Sequence, residues 1–182
     1  MSGSTPSGFL EGERLVLRAV VPSDVTDAYV AWMNDAEITR YLEIRFVPHS
    51  RESILEYVER ARHDATNVFL AIVQRESGRH IGNIRLGAID WVHRTAEVAL
   101  VIGEKSLWGR GYATESIALV VDYAFRVLNL RKLSAGFYAP NEGSIRAFLK
   151  AGFVEEARRP KHFFSHGGWV DDVWLGVLNP NG

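Results

Sequence analysis

Gly109-Arg110-Gly111 stands between an apolar run and a helical one, and this junction holds the most legible chemistry in the chain. Ala96 to Ile102 is rich in Val, Leu and Ile, with the single carboxylate Glu97 near its start, which is the composition of a buried strand. From Tyr112 to about Leu128 the apolar residues Ile117, Val120, Val121, Ala124, Val127 and Leu128 recur at three- and four-residue spacing, as on one face of a helix. A helix entered through Gly-x-Gly leaves several backbone N–H groups without intrahelical partners, and the positive end of its dipole lies at the same spot. Such a spot suits a phosphate or pyrophosphate. Two common phosphate motifs do not fit. No Lys-Ser or Lys-Thr follows Gly111, as a Walker A loop requires, and Thr114 occupies the third glycine position of a dinucleotide fingerprint. The alternative reading of the loop, taken alone, is a plain strand-to-helix turn.

Composition narrows the class. The chain has 182 residues, enough for one domain with a sizeable core, with 47% apolar and 24% charged residues. A net charge of −1 gives no global attraction to nucleic acid or anionic membrane, so neither is expected as a partner. Without cysteine there is no thiol nucleophile, disulfide or cysteine-based metal site. The six histidines show no ligand spacing, and no metal is assigned. No apolar run approaches about eighteen residues, and the start lacks a signal-peptide pattern, so a cytoplasmic protein is expected.

The run Trp108-Gly109-Arg110-Gly111-Tyr112-Ala113-Thr114-Glu115 resembles the acetyl-CoA loop of the GNAT N-acetyltransferase family, particularly its ribosomal-protein-alanine acetyltransferase (RimJ/RimL)-like branch. Gly111 and Ala113 match the last two fixed positions of Gln/Arg-x-x-Gly-x-Gly/Ala, while Trp108 replaces the usual Gln or Arg. Downstream, Asn141-Glu142-Gly143-Ser144 followed by Lys150-Ala151-Gly152-Phe153 is similar to the family's Asn-x-x-Ser…Lys-x-Gly-Phe segment. The resemblance covers about Arg14 to Leu178. It implies acetyl-CoA as co-substrate and a primary amine as acceptor, either a protein amino terminus or a small molecule such as an amino sugar or its nucleotide derivative. A CoA-binding regulatory module without turnover is the rival, and a homodimer stays open.

Acetyl transfer demands a base to deprotonate the amine, a donor for the oxyanion and an acid for the departing thiolate. The resemblance makes Glu97 the candidate base, with a plain solvent-facing strand carboxylate as the alternative. A backbone N–H around Leu100 to Ile102 is the candidate oxyanion donor. The acid is open, because the family's usual tyrosine position holds Phe148 here. Ser144 and Tyr138 remain as candidates; Ser144 also has a purely local hydrogen-bonding reading. Cofactor contacts are expected at Val101, Ile102 and Gly103 on the strand and at Trp108, Gly109, Arg110, Gly111, Tyr112, Ala113 and Thr114 on the loop. Asn141, Ser144 and Arg146 complete them, with Arg110 and Arg146 suited to phosphates. Acceptor contacts are expected at Trp32, Tyr41 and Phe46 from the early helical region and at His162 and Asp171 from the last hairpin.

The elements that must position these groups follow from pattern. Residues 1–13 begin with a Ser/Gly/Thr/Pro-rich stretch and are expected as a flexible tail, 14–178 as the acetyltransferase domain and 179–182 as a short end. Strands are expected at Arg14–Val20, Val68–Val73, His80–Ile89, Ala96–Ile102, Lys132–Tyr138, Phe153 to about Phe164 and Trp169–Leu178. Helices are expected at Val25–Met33, after Ser50, from Tyr112, and at Glu142–Ala151. This is an α/β (α+β) domain with a mixed, mostly antiparallel seven-stranded sheet and helices on both faces. The strands from Ala96 and Lys132, joined by a helix, should be parallel neighbours. In the resembling family those two strands splay apart around the cofactor's pantetheine arm.

Overall fold

The computed structural model describes residues 8–182. Eight strands form a single sheet: β1 (Leu10–Glu11), β2 (Leu15–Ala19), β3 (Val68–Gln74), β4 (His80–Asp90), β5 (Thr95–Ile102), β6 (Lys132–Tyr138), β7 (Val154–Ser165) and β8 (Gly168–Leu178). Their order is β1-β2-β3-β4-β5-β6-β8-β7. The helices are α1 (Asp27–Asn34), α2 (Arg51–His63), α3 (Tyr112–Arg126) and α4 (Glu142–Lys150). The strand beyond the expected seven is β1, which pairs Leu10 with Leu17 inside the stretch read as a tail; residues 1–7 of that tail lie outside the described residues.

Every neighbouring pair is antiparallel except β5 and β6. That exception follows from α3, which carries the chain back over the sheet between them. Their pairing is brief: Thr95, Ala96 and Glu97 meet Lys132, Leu133 and Ser134, and no ladder continues beyond. The two strands therefore part after Glu97, while β5 stays bonded to β4 as far as Ile102 and β6 stays bonded to β8 as far as Tyr138.

Alternation along the strands divides the core in two. Ala96, Val98, Leu133, Ala135, Phe137, Val173 and Leu175 face α3 and α4, where they pack with Ile117, Val120, Ala124 and Phe148. On the opposite face Tyr29, Trp32 and Met33 of α1 and Ile54 and Val58 of α2 cover Ala71 and Val73 of β3. Helix α1 starts later than expected. Pro22–Asp24 forms a separate single turn, and Thr26 caps α1 by accepting from the Tyr29 N–H at 3.3 Å. Strand β7 runs through Pro160, with its ladder to β8 irregular between Arg159 and Phe163. An outer strand tolerates a proline because its free edge needs no N–H. No helix among the described residues is long and apolar enough to cross a membrane.

Candidate active site

The gap between β5 and β6 exposes an unpaired backbone edge. The Gly103 N–H donates to the Ile81 carbonyl of β4 at 2.9 Å. Backbone groups alternate sides along a strand, so those of Leu100 and Ile102 point the other way, into the gap. The Ile102 carbonyl accepts from Trp108 Nε1 at 2.8 Å, which ties the following loop to the strand end. Gly111 then caps α3 with φ +85, a conformation that a glycine adopts without Cβ strain. The first intrahelical bond runs from the Glu115 N–H to the Gly111 carbonyl at 3.0 Å. It leaves the N–H groups of Tyr112, Ala113 and Thr114 at the mouth of the helix, aimed at one place.

Arg14 holds this loop from behind. Its backbone N–H and Nε donate to the Glu115 carboxylate at 2.8 and 2.9 Å, and its Nη1 donates to the Arg110 carbonyl at 2.6 Å. The guanidinium also lies 4.9 Å from the centre of the Tyr112 ring, whose hydroxyl accepts from Gln74 at 2.7 Å. The result is a cavity of about 530 Å³. Its walls are Leu100, Val101 and Ile102, the loop residues Leu107, Trp108, Gly109, Gly111, Tyr112, Ala113 and Thr114, and the α4 side with Asn141, Gly143, Ser144, Arg146, Ala147 and Lys150. Glu37, Ile38, Arg40, Tyr41 and Leu42 also line it. The free N–H groups and the Arg146 and Lys150 cations suit phosphates, and the Leu100–Ile102 edge suits the amides of an extended arm.

A second cavity, of about 190 Å³, lies where β5 and β6 part, and Tyr41 borders both. Its lining includes Glu43, Glu97, Tyr138, Phe163, Asp172 and Trp174. Register explains the grouping: Glu97 is opposite Ser134, Gly136 opposite Trp174 and Tyr138 opposite Asp172, so all project from the face away from α3 and α4. The Tyr138 hydroxyl donates to Glu43 Oε1 and accepts from Arg45 Nη2 at 3.0 Å, and its ring stacks on Phe163 with centroids 4.3 Å apart. Burial and then the Glu43 bond raise the Tyr138 pKa above the ordinary phenol value, so the phenol keeps its proton.

Several expected site residues are placed elsewhere. Glu97 is exposed on β5 and borders the second cavity, not the larger one. Trp32 is 6% exposed and belongs to the α1–α2 core, wedged against Gly103, Tyr29 and His80. Gly103 gives that indole room and lines neither cavity. Phe46 is 64% exposed beneath the Arg45 guanidinium. Arg110 is exposed and takes part in the site only through its carbonyl. His162 is exposed, edge-on to Phe163. Asp171 accepts from the Lys161 N–H at 3.0 Å and from Arg158, which orders the β7–β8 hairpin. Val101, Ile102, Trp108, Gly109, Gly111, Tyr112, Ala113, Thr114, Asn141, Ser144 and Arg146 do surround the larger cavity, as does Tyr41. Phe148 is a core aromatic, edge-on to Phe137 and Phe153 with centroids 4.9 Å away in each case.

Sequence reasoning missed Glu43, Phe163, Asp172 and Trp174. The available signal was parity on β8: Val173 and Leu175 read as core, so Asp172 and Trp174 must share the other face.

Comparison with known proteins agrees with this geometry. Residues 14–154 match the model of the acetyltransferase (GNAT) domain. The Bacillus subtilis protein named uncharacterized N-acetyltransferase YoaA is 28% identical over 173 residues, 94% of this chain and 97% of its own length. The Escherichia coli spermidine N(1)-acetyltransferase is 38% identical over 101 residues, 56% of this chain and 54% of that one. The crystal structure of spermidine N-acetyltransferase from Vibrio cholerae in complex with CoA and spermine superposes with a TM-score of 0.82 at 26% identity, covering 92% of this chain and 97% of that one. The loop of unpaired N–H groups, the parted strands and the matched domain lead to one identification: the chain belongs to the GNAT acetyltransferase family and is an acyltransferase with acetyl-CoA as co-substrate.

Proposed function

We propose that the protein transfers the acetyl group of acetyl-CoA to a primary amine of a small molecule by direct attack on the thioester. The observation that carries this reading is the meeting of two unlike cavities at Tyr41: one built for phosphates and an extended arm, the other aromatic and lined by carboxylates. An amine cation is drawn to the second and a thioester arm to the first. The likeness to proteins that bind or acetylate spermidine and spermine supports a small acceptor.

In this mechanism N–H groups at the start of α3 hold the pyrophosphate, and the free edge of β5 aligns the pantetheine amides. Glu97, whose carboxylate makes no hydrogen bond or ion pair among the described residues, takes the amine's proton directly or through one water. The freed nitrogen lone pair forms the C–N bond, and the carbonyl oxygen becomes an oxyanion facing the Leu100 or Ile102 N–H. As the C–S bond breaks, the adduct nitrogen gives up its second proton to solvent, leaving the neutral amide, and the thiolate takes the proton of the Ser144 hydroxyl, which solvent restores. We favour Ser144 over Tyr138 because it borders the larger cavity, whereas the Tyr138 hydroxyl already serves Glu43 and Arg45.

A peptide amino terminus is the rival acceptor, on the strength of the Gly-Tyr-Ala-Thr-Glu run that suggested the ribosomal-protein branch. Incubation with acetyl-CoA and a panel of polyamines, amino sugars, nucleotide-amino-sugars and amino-terminal peptides, read by mass spectrometry, decides between them. Acetylation of a small amine is expected; acetylation of peptides alone would refute the reading.

A further inference from the structure

We propose that the smaller cavity holds a second ammonium group of the acceptor, with Asp172 as its ligand, so that the acceptor class is an aliphatic di- or polyamine. This rests on the small-amine reading above and adds to it a residue and a charge requirement. Asp172 is completely buried, yet it lines the cavity. Its Oδ2 accepts from Arg159 Nε at 2.7 Å, from Arg159 Nη2 and from Trp174 Nε1 at 2.9 Å. Its Oδ1 is buried with no hydrogen-bond partner. A shielded carboxylate oxygen without a donor is costly, and an N–H donor brought by a ligand relieves that cost.

Charge around the cavity points the same way. Glu43, Glu97 and Asp172 border it, against the guanidiniums of Arg45 on Tyr138 and Arg159 on Asp172. Three carboxylates and two guanidiniums leave one negative charge. Aromatic walls from Tyr41, Tyr138, Phe163 and Trp174 favour a cation on an alkyl chain.

One nitrogen does not serve both ends. Glu97 shares a row with Ser134 and Gly176, and Asp172 lies four residues farther along β8. That offset is about 13 Å along the strand, so Glu97 and Asp172 address two different amino groups. The nitrogen that reacts lies along β5 between Glu97 and the Leu100–Ile102 edge, and the one that stays charged lies across the gap against Asp172 Oδ1.

The test compares amines of equal length that differ only at the far end: hexamethylenediamine, hexylamine and aminocaproate. Steady-state kinetics and calorimetry on the CoA-loaded protein are both measured. The diamine should exceed hexylamine in kcat/KM by about tenfold or more, and aminocaproate, with a carboxylate against Asp172, should be the poorest. Asp172→Asn should bring the diamine-to-monoamine ratio close to one. Equal use of the three amines by the wild-type protein overturns the proposal, and so does a folded Asp172→Asn that keeps the preference. The wild-type ordering decides the matter even where that variant does not fold. If no small amine is acetylated but the diamine still binds tighter than hexylamine, the subsite stands and the small-amine reaction falls. Acetylation of all three at similar rates gives the converse.

Discussion

Trp32 lies against Gly103 so closely that a Cβ built on the glycine falls within the indole. This contact joins α1 to the end of β5, just before the chain enters the loop that leads to Gly111 and α3. Gly103→Ala should therefore force the ring or the strand to move and lower stability by about 1–3 kcal/mol, as overpacking a filled core does. Denaturant unfolding measures it directly. An alanine variant of wild-type stability would mean that the indole has free space behind it.

The same contact shows what was readable in the sequence and what was not. The loop could be read because its determinants are local: Gly111 needs its positive φ, and the helical repeat from Ile117 begins just beyond it. Trp32 could not, because an aromatic residue on a short helix reads identically whether it faces a ligand or the core. Only the rotation of α1 against β4 and β5 decides. Asp171 and Asp172 show the same limit in a strand. Adjacent residues face opposite sides, so a reading one residue off selects the hairpin-ordering Asp171 over the cavity-lining Asp172. The pairing of Asp172 with Tyr138 settles it, and that pairing is a long-range property of β6 and β8.

Gly111→Asp should abolish most acetyl-CoA affinity while the fold persists. A side chain at φ +85 strains the turn that aims the N–H groups, its Cβ pushes on the Arg14 guanidinium behind the loop, and the added carboxylate sets a negative charge beside the proposed pyrophosphate site. The Arg14 atom nearest that Cβ, at 3.0 Å, is Nη2, while Nε and Nη1 hold Glu115 and the Arg110 carbonyl. Calorimetry with CoA on the folded variant is the measurement, and unchanged affinity would move the pyrophosphate elsewhere.

Ser144 and Tyr138 separate by kinetic signature. Ser144→Ala should lower kcat by roughly tenfold or more with little change in KM for acetyl-CoA, as expected for a group acting on the departing thiolate. Tyr138→Phe frees Glu43 and Arg45 from the phenol, so its main effect should be on KM for the amine. A Ser144→Ala enzyme with wild-type kcat, beside an inactive Tyr138→Phe enzyme, would transfer the acid role to Tyr138.

Direct transfer to an amine deprotonated at Glu97 is the centre of this account, and steady-state kinetics of Glu97→Gln tests it most directly. The amide keeps size and hydrogen bonding but removes basicity. Affinity for acetyl-CoA should hold, and kcat should fall by roughly a hundredfold near neutral pH, the usual scale for a lost general base. Because the amine loses its proton to solvent more readily as pH rises, the variant should recover part of that loss in alkaline buffer. A variant that turns over the true acceptor at the wild-type rate at neutral pH would contradict the account and reduce Glu97 to a carboxylate on an exposed strand position.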